Sequence, residues 1–254
     1  MLGICRTGGR LALALTAIAG LMCASSDARA GGVAGLFGPT GIQSGFAVDE
    51  AKDFTTLWRV DLSGGIYNSR LKFGGQGLDT FQYGLVALAE VYPVERFGIH
   101  FGLGALIAGN LTDGNVTHKM DPGIIGAFGL TVAALRETKD NPFILLGGDF
   151  MVEWVRTKAD TPGAGKVGYT ALDGRLSLII GKTLPQNIVL YVKAQGLLGR
   201  VYWEMGGKSV DGDDDYHYSA GFGLWANLPY GMKFFLEAMP AGERTVSIGY
   251  GASF

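Results

Sequence analysis

His217 is the side chain best suited to acid–base chemistry near neutral pH, because an unperturbed imidazole titrates there. Ser219 follows two residues later, and Asp173 and Glu153 stand on segments expected to run alongside. A hydroxyl, an imidazole and a carboxylate are the ingredients of nucleophilic hydrolysis or acyl transfer. The chain offers no nucleophile elbow and no His/Cys spacing of a metal site, so a hydrogen-bonded interior histidine is the plainer reading of His217. A second concentration of chemistry is Val210-Asp211-Gly212-Asp213-Asp214-Asp215, whose four carboxylates suit a hard cation such as Ca²⁺. It lacks the spacing and closing Glu of an EF-hand loop, and reads as a solvated acidic loop. His118 sits in a polar stretch and reads as solvated. No cofactor and no metal are implied.

These residues need elements to hold them, and the elements alternate with period two. Phe97, Ile99, Phe101, Leu103, Ala105 and Ile107 share one face, opposite Gly98, His100, Gly102 and Gly104. Ten such segments are expected, near 54–67, 79–92, 97–108, 123–136, 142–156, 168–183, 188–204, 215–228, 231–239 and 244–254. The eight prolines fall between them or at their edges, as ladder hydrogen bonding demands. Connections of about 10 to 14 residues alternate with ones of 2 to 5, except after the last hairpin. An up-and-down antiparallel meander would put long polar loops at one end and tight turns at the other.

The face opposite the bulky apolar one is small and polar. It carries Arg59, Asp61, Gln82, Glu90, His100, Asp149, Glu153, Asp173, Arg175, Lys193, Gln195, His217, Lys233 and Glu237 among many Gly and Ser. Counted from the strand ends, Glu153, Asp173 and Arg175 fall at similar heights and are expected to cluster, with Lys193 joining from below or pairing across the interior. Unpaired charges in a narrow interior are costly.

Composition narrows the setting. Glycine is 42 of 254 residues, charged residues are 17%, and the net charge is −2, which implies no nucleic-acid partner. Arg6 and Arg10 precede an apolar run from Leu11 to Met22, and Ala28-Arg29-Ala30 offers a cleavage site, so residues 1–30 read as a secretory signal. Cys5 and Cys23, the only cysteines, would leave with it. Without Arg6, Arg10, Arg29 and Asp27, the remaining 224 residues carry 18 basic and 22 acidic groups. Residues 31–53 are read as a tail, a plug or an extra hairpin, and residues 54–254 as one β-barrel. No later segment is apolar enough for a helical span.

Alternation fits either a soluble barrel or its inverse, with bulky residues facing lipid. Three features favour the inverse: the small polar face, the aromatics at strand ends (Phe81, Tyr83, Trp154, Tyr202, Tyr216 and Tyr218 at one end; Phe54, Phe97 and Phe254 at the other), and the final strand. There Val246, Ile248, Tyr250, Ala252 and Phe254 share a face. This tail resembles the carboxy-terminal assembly signature of bacterial outer-membrane β-barrel proteins. The resemblance implies a closed all-β transmembrane barrel, and the ten segments give it about ten strands, with twelve if residues 31–53 supply a hairpin or eight if two of the segments are loops. It further implies a Gram-negative outer-membrane location, outer-membrane lipid and the barrel-assembly machinery as partners, short turns in the periplasm, and Val246, Ile248, Tyr250 and Phe254 as the assembly signal. Two roles stay open: a structural barrel, or a narrow, weakly selective pore for small solutes in which the inward glycines leave volume. The alternative from another class is an outer-membrane hydrolase or acyltransferase with a rim site near His217.

Overall fold

The computed structural model describes residues 57–94, 96–205 and 208–254. The expected signal, its cleavage site after Ala30, the 31–53 segment and Phe54 lie outside them. Twelve strands follow one another: β1 Leu57–Phe73, β2 Gln76–Val94, β3 Phe97–Thr112, β4 Thr117–Met120, β5 Gly123–Leu135, β6 Phe143–Ala159, β7 Lys166–Leu184, β8 Ile188–Met205, β9 Lys208–Asp214, β10 Tyr218–Asn227, β11 Met232–Gly242 and β12 Arg244–Ser253. Every pairing is antiparallel, and β12 pairs with β1, so the sheet closes. Trp58 and Phe254 complete that seam with two backbone hydrogen bonds of 3.1 and 2.9 Å.

The ten expected segments are all present, and the two additional strands explain themselves. β4 and β5 are one stave broken at Asp121-Pro122, where proline cannot donate to the ladder. β9 and β10 are another, broken at residues 215–217. These breaks change the ring along its height. Near the chain termini it passes through ten strands, β1-β2-β3-β5-β6-β7-β8-β10-β11-β12. Near the opposite end β10, β11 and β12 have stopped, and β9 bridges β8 directly to β1 through Leu71↔Asp214, Lys72↔Asp213 and Phe73↔Gly212. That end is ringed by eight strands, β1-β2-β3-β4-β6-β7-β8-β9.

The long polar loops expected at this end are a correction. The chain instead continues as strand: β1 and β2 run on to a two-residue turn at Gly74-Gly75, both at positive φ, and β3 and β4 turn across residues 113–116. Beyond the lipid-facing stretch the outer positions become Asn68, Arg70 and Lys72 while Ser69, Leu71 and Phe73 still point inward. A strand wet on one face and packed on the other loses its apolar outer signal, so hydropathy read it as loop.

The direction of the faces follows from exposure. Phe101, Leu176 and Phe222 are 55%, 71% and 59% exposed and point away from the axis. On β1 the outward apolar positions run from Trp58 to Ile66, and on β6 from Ile144 to Trp154. Spans of this length match the 9–11 tilted residues that cross a hydrocarbon core. Tyr83, Trp154 and Tyr218 stand exposed at the upper edge of this band.

Candidate functional site

The interior consists of two apolar layers with an ionic belt between them. The layer at the eight-stranded end packs Leu71, Phe73, Leu78, Leu111, Met120, Tyr169 and Trp203. Phe73 and Trp203 lie 5.4 Å apart, and the Trp203 indole N–H donates to Thr157 Oγ1 at 2.8 Å. An eight-stranded ring has an interior that side chains just fill. The layer near the termini packs Phe143, Leu145, Ile179, Val189, Tyr191, Trp225 and Phe235. Here aromatic rings lie against the inward glycines: the Tyr191 ring occupies the space of a Gly223 side chain, Phe235 that of Gly249 and Phe143 that of Gly181.

The belt is tied strand to strand. On β1, Arg59 grips Asp61, with Nε donating to Oδ1 at 2.9 Å and Nη2 lying 2.5 Å from Oδ2. Its Nη1 is 3.7 Å from Glu90 on β2. Glu90 lies 3.9 Å from His100 Nδ1 on β3, and His100 Nε2 meets Asp149 Oδ1 on β6 at 2.5 Å. The close His100–Asp149 contact passes over Gly129, where a Cβ would overlap both groups. On β8 the Lys193 ammonium donates to Glu237 on β11 at 3.0 Å, and the Tyr191 hydroxyl donates to the same carboxylate at 2.9 Å. Gln195 accepts from Ser219 at 3.1 Å, and Lys233 stands 5.4 Å over the Trp225 ring.

A further group sits where the ring narrows. Arg175 on β7 donates to Asp173 at 2.8 Å and to Glu243 at 2.9 Å. The Tyr67 hydroxyl lies 2.7 Å from Glu243 and 3.2 Å from Asp214, and Ser69 donates to Asp214 at 2.7 Å. Glu243 is the single residue between β11 and β12. One buried guanidinium thereby joins the β7 wall to the β11–β12 turn, to β1 and to β9.

The expected Glu153–Arg175–Asp173 cluster is therefore corrected. The register pairs Asp149 with Arg175 and Glu153 with Ala171, which lifts Glu153 one ladder step above Asp173. Counting from strand ends ignored this stagger. Glu153 instead accepts from Gln82 at 3.4 Å, across the interior. Lys193 takes the cross-strand partner, Glu237, rather than joining Arg175. His217 falls in the break between β9 and β10, partly exposed, where burial lowers its pKa and Asp215 and Asp213 oppose the shift. The structure does not bring Ser219, Asp173 or Glu153 to His217: Ser219 serves Gln195, Asp173 serves Arg175 and Glu153 faces Gln82.

The sequence reading missed Glu243, Asp214, Tyr67 and Ser69. A signal existed for Glu243, because Thr245, Ser247 and Gly249 already set the inward parity of β12. Asp214 was hidden inside the acidic run, which is mostly strand: Asp211 pairs with Arg200 at 2.6 Å, and Asp215 pairs with Lys72. Among the described residues no group of three or more His, Asp or Glu is arranged to hold a metal ion.

In the belt Arg59, Arg175 and Lys193 each meet a carboxylate, while buried Glu153 meets the Gln82 amide. Closed sheet, exposed apolar outer band and polar interior occur together. The architecture is that of a closed antiparallel β-barrel. No protein-family model matches the chain, and no curated protein does. Solved structures to which it is similar include the β domain of the Bordetella autotransporter BrkA, at 11% identity over 77% of this chain and 99% of that one, with a TM-score of 0.48. The outer membrane protease OmpT from Escherichia coli aligns at 10% identity over 80% and 97%, with a TM-score of 0.45. The transport unit of the autotransporter AIDA-I from Escherichia coli aligns at 11% identity over 82% and 93%, with a TM-score of 0.42.

On the final strand, Val246, Ile248, Tyr250 and Phe254 all face outward, exposed, at the seam with β1.

Proposed function

We propose that this chain is an integral barrel of a bacterial outer membrane whose role is structural, with an interior closed to solutes. The observation that carries the reading is the stacking of two packed apolar layers around a belt in which Arg59, Arg175 and Lys193 each meet a carboxylate. Water and ions crossing such an interior would have to part aromatic side chains at both ends and break buried ion pairs between them. The Gram-negative setting, the signal-directed export and assembly through the Phe254 tail belong to the same reading. Outer-membrane barrels carry their longer extramembrane segments on the outside; here the strands run on past the apolar band at the eight-stranded end, so that end faces the exterior and the ten-stranded end faces the periplasm.

Planar-bilayer recording of the purified protein tests the closed interior. The expected result is insertion without discrete conductance steps. Steps of uniform size, altered by Arg59→Ala or Lys193→Ala, would establish the pore reading in its place.

A further inference from the structure

Above the lipid-facing band, the outer surface of the eight-stranded end begins with cations. Moving up the strands, the first outward charge is Arg70 on β1, Lys119 on β4, Arg156 on β6, Lys166 on β7, Arg200 on β8 and Arg244 on β12. The acidic exceptions, Asp79, Asp121 and Asp215, each lie beside a cation of this collar: Arg70, Lys166 and Lys72 respectively. This arrangement occurs in a chain whose overall charge is negative.

One sector is denser than the rest. The register places Lys119 directly opposite Lys158, and Lys158 directly opposite Lys166, so three ammonium groups share one row on three adjacent strands. Arg156 stands two residues below on the same face, immediately above the exposed Trp154. Like charges directly opposite on neighbouring strands destabilise a sheet. Two carboxylates relieve part of the repulsion: Asp160 lies 3.3 Å from Lys119, and Asp121 lies 2.6 Å from Lys166. Glu204 on β8, accepting from the Gly168 N–H at 3.3 Å, borders the sector. Arg156 and Lys158 have no ion-pair partner among the described residues, and both are exposed.

We propose that the Lys119–Arg156–Lys158–Lys166 sector is a binding site for the phosphate-bearing headgroup of a lipid in the leaflet at the eight-stranded end. The proposal rests on the membrane reading above. Trp154 marks the height of the lipid–water boundary, where interfacial aromatics settle. Arg156 and Lys158 stand one and two side-chain steps higher, at the level of headgroup phosphates. Clustered cations at that level attract anionic lipid. An exposed guanidinium offers forked donors that match phosphate oxygens, and the lysine row supplies the additional charge.

Native mass spectrometry of the full chain, exchanged from detergent into mixtures with phosphatidic acid or phosphatidylcholine, tests it. The native protein is expected to retain phosphatidic acid in preference to phosphatidylcholine. The double variant Arg156→Gln/Lys158→Gln is expected to weaken that retention about 25-fold, roughly fivefold for each cation removed. Lys208→Gln, near the far turn between β8 and β9, is expected to leave it unchanged. No preference in the native protein, or equal retention by the double variant, would overturn the site. Complete displacement by millimolar inorganic phosphate would also overturn it, by making it a free-anion site. Insertion into phosphatidylcholine vesicles and heat-modifiable migration are followed for every variant. Failure of the native chain to insert sinks the membrane reading, whereas insertion without lipid preference sinks only the headgroup site.

Discussion

Arg175 holds two buried carboxylates, Asp173 and Glu243, and among the described residues no second cation bonds to either. Its loss leaves both charges uncompensated, which costs far more than the pair contributes when intact. Arg175→Met is expected to destabilise the barrel by about 3–5 kcal/mol, read as a shift in urea unfolding of protein refolded into vesicles. Arg175→Lys should fall between the two, because an ammonium keeps the charge but not the forked geometry. An unchanged Arg175→Met midpoint would remove this residue from the account. Gly129 is a position where only the absence of a side chain admits the His100–Asp149 contact. Gly129→Ala is expected to cost about 1–3 kcal/mol by overpacking. Gly126→Ala, whose Cβ would meet only the edge of Trp154 at 4.0 Å, should be nearly silent in the same assay. Parity along each strand placed Arg59, Glu90, His100, Asp173 and Lys193 on one face in the sequence, and all five are buried. Partners were not legible, because they depend on stagger between strands: the register sets Asp149, not Glu153, opposite Arg175 and leaves Glu153 to meet Gln82.

The strands themselves show where period-two reading succeeds and where it stops. All ten strands of the wider ring were legible because each alternates bulky and small residues. β4 and β9 were not, since their outer faces are charged, as at Lys119 and Asp211, and only their inner faces pack. The narrowing from ten strands to eight was equally hidden. It depends on β9 leaving the path of β10 to pair with β1 over three residue pairs, held by Ser69 and Tyr67 on Asp214 and by a 2.6 Å bond from Asp215 N to Arg70 O. Asp214→Ala removes the side-chain part of that junction. Faster amide hydrogen exchange is expected across residues 208–214 and 71–73, with β5, β6 and β7 unaffected. Uniform acceleration over the barrel would mean that the junction is not a separable unit, and no acceleration would mean that backbone pairing alone holds it.

At the scale of the molecule, one wall does two jobs. Its outer side exposes Leu103, Leu176 and Phe222, which the proposed membrane setting turns toward the bilayer, while its inner side locks charges between aromatic layers. Without lipid to donate or accept hydrogen bonds, closure of the sheet satisfies the backbone of every crossing stave. The glycines reconcile the two sides, since they make room inside for Tyr191, Phe235 and Phe143. The most direct test of this inside-out arrangement is the collision rate of spin labels placed singly at Phe101→Cys, Leu176→Cys, Phe222→Cys and Lys193→Cys in vesicle-inserted protein. The first three should collide readily with oxygen, which concentrates in lipid, and scarcely with a water-soluble nickel complex; Lys193→Cys should be shielded from both. Nickel access at Leu176, or mutual burial of the first three labels, would contradict it.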